Sequence, residues 1–190
     1  MRRFRFLLFL FPVLVAGLVG ADPSASAVST RTPAAIVHPV GAADVVLRVR
    51  SDPNGWGGLY PDGGGVTLYG DGRIVYVPAG RDTDESGGTV VRVTEARVQE
   101  ILRRARDAGL LAKTSYGEML VTDQGSTRIE VKANHKTVVA DVYALFFDEP
   151  KYGLTTKQAK MRKLLVAFVR HVIRPPGPAA RLSPAASALA

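Results

Sequence analysis

Val66-Thr67-Leu68-Tyr69-Gly70-Asp71-Gly72-Arg73-Ile74-Val75-Tyr76-Val77 decides the fold. Two short β-prone runs, Val66 to Tyr69 and Ile74 to Val77, flank Gly70-Asp71-Gly72-Arg73. An Asp-Gly step in that setting predicts a hairpin, because both central turn residues reach positive φ at little cost. Upstream, Asp44 to Arg50 places Val45, Leu47 and Val49 on one face at period two, a strand. Ser51 to Gly65 reads as a glycine-rich loop carrying Trp56 and Tyr60, and Arg81 to Gly88 as a polar loop. Thr89 to Val93 is a further short strand.

Downstream the period changes. Thr94 is an N-cap with Glu95 at the positive end of the helix dipole. Val98, Ile101, Leu102 and Ala105 give one apolar face, and Gly109 ends the helix. Ser126 to Ala133 alternates as a strand, Asn134-His135-Lys136 turns the chain, and Thr137 to Phe147 predicts a longer, central strand. Thr155 and Gln158 form a capping box for a second helix. That helix carries Met161, Leu164, Leu165, Phe168, Val169 and Val172 at helical spacing. The order β-β-β-(β)-α-β-β-α, joined by short turns, predicts an α+β fold: a small, mostly antiparallel sheet with two amphipathic helices packed on it.

The ends differ from this core. Arg2, Arg3 and Arg5 precede an apolar run from Phe6 to Val19, and Ala25-Ser26-Ala27 supplies the small-x-small pattern of a signal peptidase site. Cleavage is expected between Ala27 and Val28, after export by the general secretory route. The apolar run is shorter than the ~18–20 residues of a membrane span. The domains expected are a signal peptide at 1–27, a flexible Ser/Thr/Pro/Ala-rich linker at 28–43, the α+β domain at 44–174 and a disordered Pro/Ala-rich tail at 175–190.

Composition narrows the chemistry. With 46% hydrophobic and 22% charged residues, the chain is globular rather than disordered. It has no cysteine, which excludes disulfides, thiolate metal sites, cysteine nucleophiles and a lipid-modified cysteine. The formal charge is +8 for the whole chain, and +6 once Arg2, Arg3, Arg5 and Asp22 leave with the signal. A basic protein outside the cytoplasm meets anionic lipid and acidic wall polymers before nucleic acid.

The motifs that carry chemistry are few. Gly70-Asp71-Gly72 begins like a dinucleotide fingerprint but sits between strands and lacks the third glycine. Asp82-Thr83-Asp84-Glu85-Ser86-Gly87 resembles half a calcium loop, with Val93 where the bidentate glutamate belongs. His38, His135 and His171 have no metal-site spacing, and no nucleophile elbow exists. Glu118, Asp123 and Asp141 are the carboxylates to consider for a hydrolase. No motif asks for a cofactor or a metal. Two binding features remain. One is the aromatic loop with Trp56 and Tyr60, since loop aromatics stack on ligands. The other is the basic outside of both helices, with Arg103, Arg104, Lys160 and Lys163 at its centre.

Leu68-Tyr69-Gly70-Asp71-Gly72-Arg73-Ile74-Val75, Ala105-Arg106-Asp107-Ala108-Gly109-Leu110-Leu111, Val121-Thr122-Asp123, Thr127 to Val131 and Val142-Tyr143-Ala144-Leu145 form a pattern. It resembles that of a group of uncharacterised exported proteins and lipoproteins of high-GC Gram-positive bacteria. The resemblance spans roughly Asp44 to Arg174 and implies a compartment and a fold, not a reaction. Many members carry a lipid-anchoring cysteine, which this chain lacks. The expectation is a secreted, non-enzymatic, envelope-associated binding module whose partner is an envelope protein or an anionic wall polymer. The alternatives are an electrostatic binder of wall polymers or anionic lipid through the basic helices, and a cell-wall hydrolase.

Overall fold

The computed structural model describes residues 34–51, 64–77, 88–147 and 153–174. The expected signal with its Ala27/Val28 junction, loop residues Trp56 and Tyr60, the acidic run Asp82 to Gly87 and the tail 175–190 lie outside the described residues. The elements are β1 (Val45–Ser51), β2 (Gly65–Tyr69), β3 (Arg73–Val77), β4 (Thr89–Arg92), α1 (Glu95–Asp107), β5 (Ser126–Ala133), β6 (Lys136–Tyr143) and α2 (Thr156–Val172). The chain is α+β in the expected order. The strands form one six-stranded sheet, β4-β3-β2-β1-β5-β6, antiparallel at every pairing.

The Asp-Gly hairpin forms, with a different turn. Only Gly72 is left-handed (φ +78°); Asp71 is not. Gly72 N–H donates to the Tyr69 carbonyl at 3.1 Å, so Gly70 and Asp71 are the turn's centre and Gly72 follows it as a bulge. Asp71 Oδ1 accepts from Arg73 N–H at 3.1 Å, and its carboxylate faces Arg92 at 3.4 Å. The backbone here is already occupied: Gly70 N–H donates to Asp44 and Gly72 accepts from Val93. A Cβ on Gly70 would meet the Pro39 carbonyl oxygen at 2.6 Å. The Gly-Asp-Gly motif is a corner packed by neighbouring chain, not a phosphate cradle.

One face of the sheet makes the core. Val49, Val66, Leu68, Ile74, Ile129 and Val131 are buried there against Val98, Ile101, Leu102 and Ala105 of α1 and Leu165, Phe168, Val169 and Val172 of α2. The helix faces are those the 3.6-residue period marks. β1 departs from strict alternation. Its register slips between Val45 and Leu47, so Val46 and Leu47 are both buried while Val45 is half-buried. A bulge of this kind puts consecutive side chains on one side. The opposite face carries Val90, Val75, Thr67, Arg48, Glu130 and Val139 in one register row across all six strands.

Two expectations need correction. The strand expected to be central, β6, is the sheet's edge, and it stops at Tyr143 because Ala144 turns left-handed (φ +50°). Its apolar composition reflects one buried side rather than two. The described part of the expected linker, 34–43, is fixed to the domain. Ile36 is buried in the core; its N–H donates to Gln99 Oε1 at 2.8 Å and its carbonyl accepts from Gln99 Nε2 at 2.9 Å. Val37 pairs with Asn134 in both directions, at 3.2 Å and 2.7 Å. Composition gave a linker because a single isoleucine among small residues carries no period.

Candidate functional site

Both helices begin at a threonine cap. Thr94 caps α1, its hydroxyl accepting from Arg97 N–H at 3.4 Å. At the other end Gly109 (φ +85°) lets Leu110 N–H reach the Ala105 carbonyl and its own N–H reach Arg106, a Schellman closure. Thr155 and Gln158 make the reciprocal capping box at the start of α2.

The helices differ in how their cations are spent. On α1, Glu100 takes Arg97 at 2.6 Å and Arg104 at 3.0 Å, and Arg106 faces Asp107 at 3.1 Å. Arg103 is half-buried. Of the expected binding residues, then, Arg104 is neutralised within its own helix. α2 contains no acidic residue. Lys160, Lys163, Ala167, Arg170 and Arg174 recur every three to four residues and are all exposed, with Lys157 one turn before them. A helix places such residues in one stripe. None of these five cations meets an acidic side chain among the described residues. The sequence signal for this stripe is the absence of Asp and Glu from 156–174, a stronger sign than a count of basic residues on both helices.

An apolar cavity of about 310 Å³ lies beside that stripe, lined by Leu145, Phe147, Leu154 and Val166, with Lys163 and Arg170 on its rim. A second groove, of about 450 Å³, runs between the β6 edge and loop 109–117.

Between the helices lies a tight cluster. Burial raises the pKa of Glu100, but hydrogen bonds from Arg97 and Arg104 outweigh it and hold the carboxyl below its ordinary value. His171 Nε2 is 3.6 Å from Glu100 Oε1 and has no hydrogen-bond partner among the described residues. Burial, then Arg104 and Arg97, push the His171 pKa below its ordinary value, and Glu100 offsets only part of this. These neighbours disfavour the protonated imidazole. Glu95 behaves like Glu100: burial raises it, while Gln99 and His38 lower it further.

The hydrolase candidates do not assemble. Glu118 is exposed in the loop after Gly117, Asp123 is exposed in a left-handed turn (φ +59°), and Asp141 faces Arg128 at 3.7 Å on β6. Among the described residues no group of three or more histidines and carboxylates could hold a metal ion, and no helix is long and apolar enough to cross a membrane. Against known proteins, the chain matches no family model and no curated sequence.

Proposed function

We propose that the protein is an exported, non-enzymatic module that attaches to polyanionic material of the cell envelope through the outer face of α2. The observation that carries this is the contrast between the helices: α1 pairs Arg97, Arg104 and Arg106 with its own acids, whereas α2 leaves Lys157, Lys160, Lys163, Arg170 and Arg174 without acids among the described residues. Cations held in a row on a rigid helix match a surface or polymer with repeating negative charge, and each contact releases bound counterions. The net charge of +6 expected once the signal leaves adds long-range attraction. The export signal read at residues 1–27 supplies the compartment. Support for a hydrolase is weaker, because Glu118, Asp123 and Asp141 lie on three separate segments without a shared pocket.

The test is retention of the mature protein on purified envelopes across a salt series. Exposed charges are screened over ~10 Å at 0.1 M salt and ~3 Å at 1 M, so retention falls steeply over that range. The Lys160→Glu/Lys163→Glu double variant loses retention at low salt, while reversal of Arg104, already paired, has a small effect. Retention indifferent to both salt and the double reversal defeats the proposal.

A further inference from the structure

β6 is a long edge of the sheet, with no strand beyond it among the described residues. Across the two-residue turn Asn134-His135, Ala133 faces Lys136, and the register continues without a slip to Ser126 and Tyr143. A pair closing such a turn exchanges hydrogen bonds, and bonded and non-bonded pairs then alternate. Val138 and Ala140 therefore bond to β5, while Thr137, Val139 and Asp141 turn their N–H and C=O groups away from it. Among the described residues these outward groups have no partner. The strand has no proline and no bulge, and Val139 is 46% exposed. Natural edges are usually short, bulged or heavily charged to prevent pairing. The opposite edge, β4, follows that rule with four residues; β6 does not.

Beside this edge the groove of about 450 Å³ is walled by loop 109–117. The wall is held firmly. Tyr116 Oη donates to the Ala108 carbonyl at 2.8 Å, Thr114 Oγ1 to Gly109 at 2.8 Å, and Arg162 Nη1 to the Tyr116 and Gly117 carbonyls. Val138, Ala140 and Leu110 give the groove an apolar floor. Its charge is one-sided: Lys113 on the wall and Lys136 at the start of β6 are exposed with no acidic partner among the described residues, while the acid of the strand, Asp141, faces Arg128.

We infer that β6 receives an extended segment of a partner protein, apolar at alternate positions and acidic at its ends, which adds as a seventh strand. Its backbone bonds to Thr137, Val139 and Asp141. Alternate side chains enter the groove, and its acids answer Lys113 and Lys136. This is strand addition, in which main-chain bonds hold and side-chain pockets select. The wall favours a single strand over a second copy of the chain. Pairing two β6 edges about Val139 would bring both 109–117 walls over the same strip. The site is separate from the α2 stripe and stands without it.

The test uses the full chain and two fluorescein-labelled peptides, EVTVTVE and its lysine-ended counterpart KVTVTVK, read by anisotropy and by amide exchange. EVTVTVE is expected to saturate at least tenfold more tightly than KVTVTVK and to protect the Thr137, Val139 and Asp141 amides. Val139→Pro removes an outward N–H and weakens EVTVTVE at least tenfold at unchanged melting temperature. If that variant melts early, Lys113→Glu decides, because it should weaken EVTVTVE and strengthen KVTVTVK, an inversion no folding defect produces. Equal affinity for the two peptides overturns the inference, as does protection elsewhere than β6. So does protection of these amides that rises with protein concentration in the absence of peptide, which marks self-pairing.

Discussion

The Arg162 guanidinium donates to the Ala144 carbonyl oxygen at 2.6 Å, inside the protein and with no carboxylate partner among the described residues. Nη2 also reaches Tyr143 at 2.6 Å, and Nη1 reaches Tyr116 and Gly117 at 3.4 and 3.3 Å. Burial holds the pKa of the group below its ordinary value. Four carbonyl dipoles take the place of a counter-ion, and they belong to two segments that do not otherwise meet in the sheet: the loop after α1 and the end of β6. Arg162→Met leaves those carbonyls unsatisfied and should cost about 3 kcal/mol. Arg162→Lys should not restore it, because an ammonium lacks the planar fork that serves both segments. Urea denaturation midpoints of the three proteins check this.

Ile36 tests where the domain begins. If residues before Asp44 were only a linker, Ile36→Ala would be silent. Because Ile36 is buried and bonded to Gln99 through both backbone groups, the substitution should cost about 2–4 kcal/mol, as other large-to-small core changes do. Thermal melts of the variant, and of a chain starting at Asp44, give the measurement.

His171 makes stability depend on pH with a definite sign. Its folded pKa lies below the ordinary value of 6.5, so the unfolded chain binds the proton first. Its contribution is fully present above pH 6.5 and is lost as pH falls through the folded value. His171→Leu should flatten the stability curve below pH 6.5. A slope unchanged by this substitution removes His171 as its source.

The Asn134-His135 turn holds both residues left-handed, at φ +51° and +60°. Asn134 tolerates this and also bonds Val37. His135 is exposed, so its strain is offset by nothing in the described contacts. His135→Gly should raise stability by about 0.5–1 kcal/mol, whereas Asn134→Ala should lower it by more, straining the left-handed turn and losing the side-chain bond to Val37 N–H. Chemical denaturation of the two variants distinguishes the effects.

These positions also show what the sequence made legible. Signals are legible where the physics is local: the capping box at Thr155 and Gln158, the Thr94 cap, the Gly109 stop and the strand Ser126 to Ala133. Strand order was not legible, because β6 looks the same in sequence whether one or two neighbours flank it. Nothing in its helix distinguishes Arg162 from the basic outer residues beside it; only the left-handed Ala144 and the loop at Gly117 bring carbonyls to it. The α2 stripe is half legible in the sequence, in Lys160 and Lys163; what sets it apart is that α1 neutralises Arg104 within its own helix.

The β1 pairings set a timetable. β1 bonds to β2 nearby, but its other neighbour is β5, and the strap before it waits for Gln99 and Asn134. A chain emerging N-terminus first, from a ribosome or through a membrane pore, therefore presents its first strand long before the partner that completes it. Contacts so distant along the chain close slowly. Until residues beyond Asn134 have emerged, β1 to β4 lack the completed β5–β6 pair and have no α2 to cover them, so the polypeptide stays threadable for most of its passage and gains its final shape only near the end.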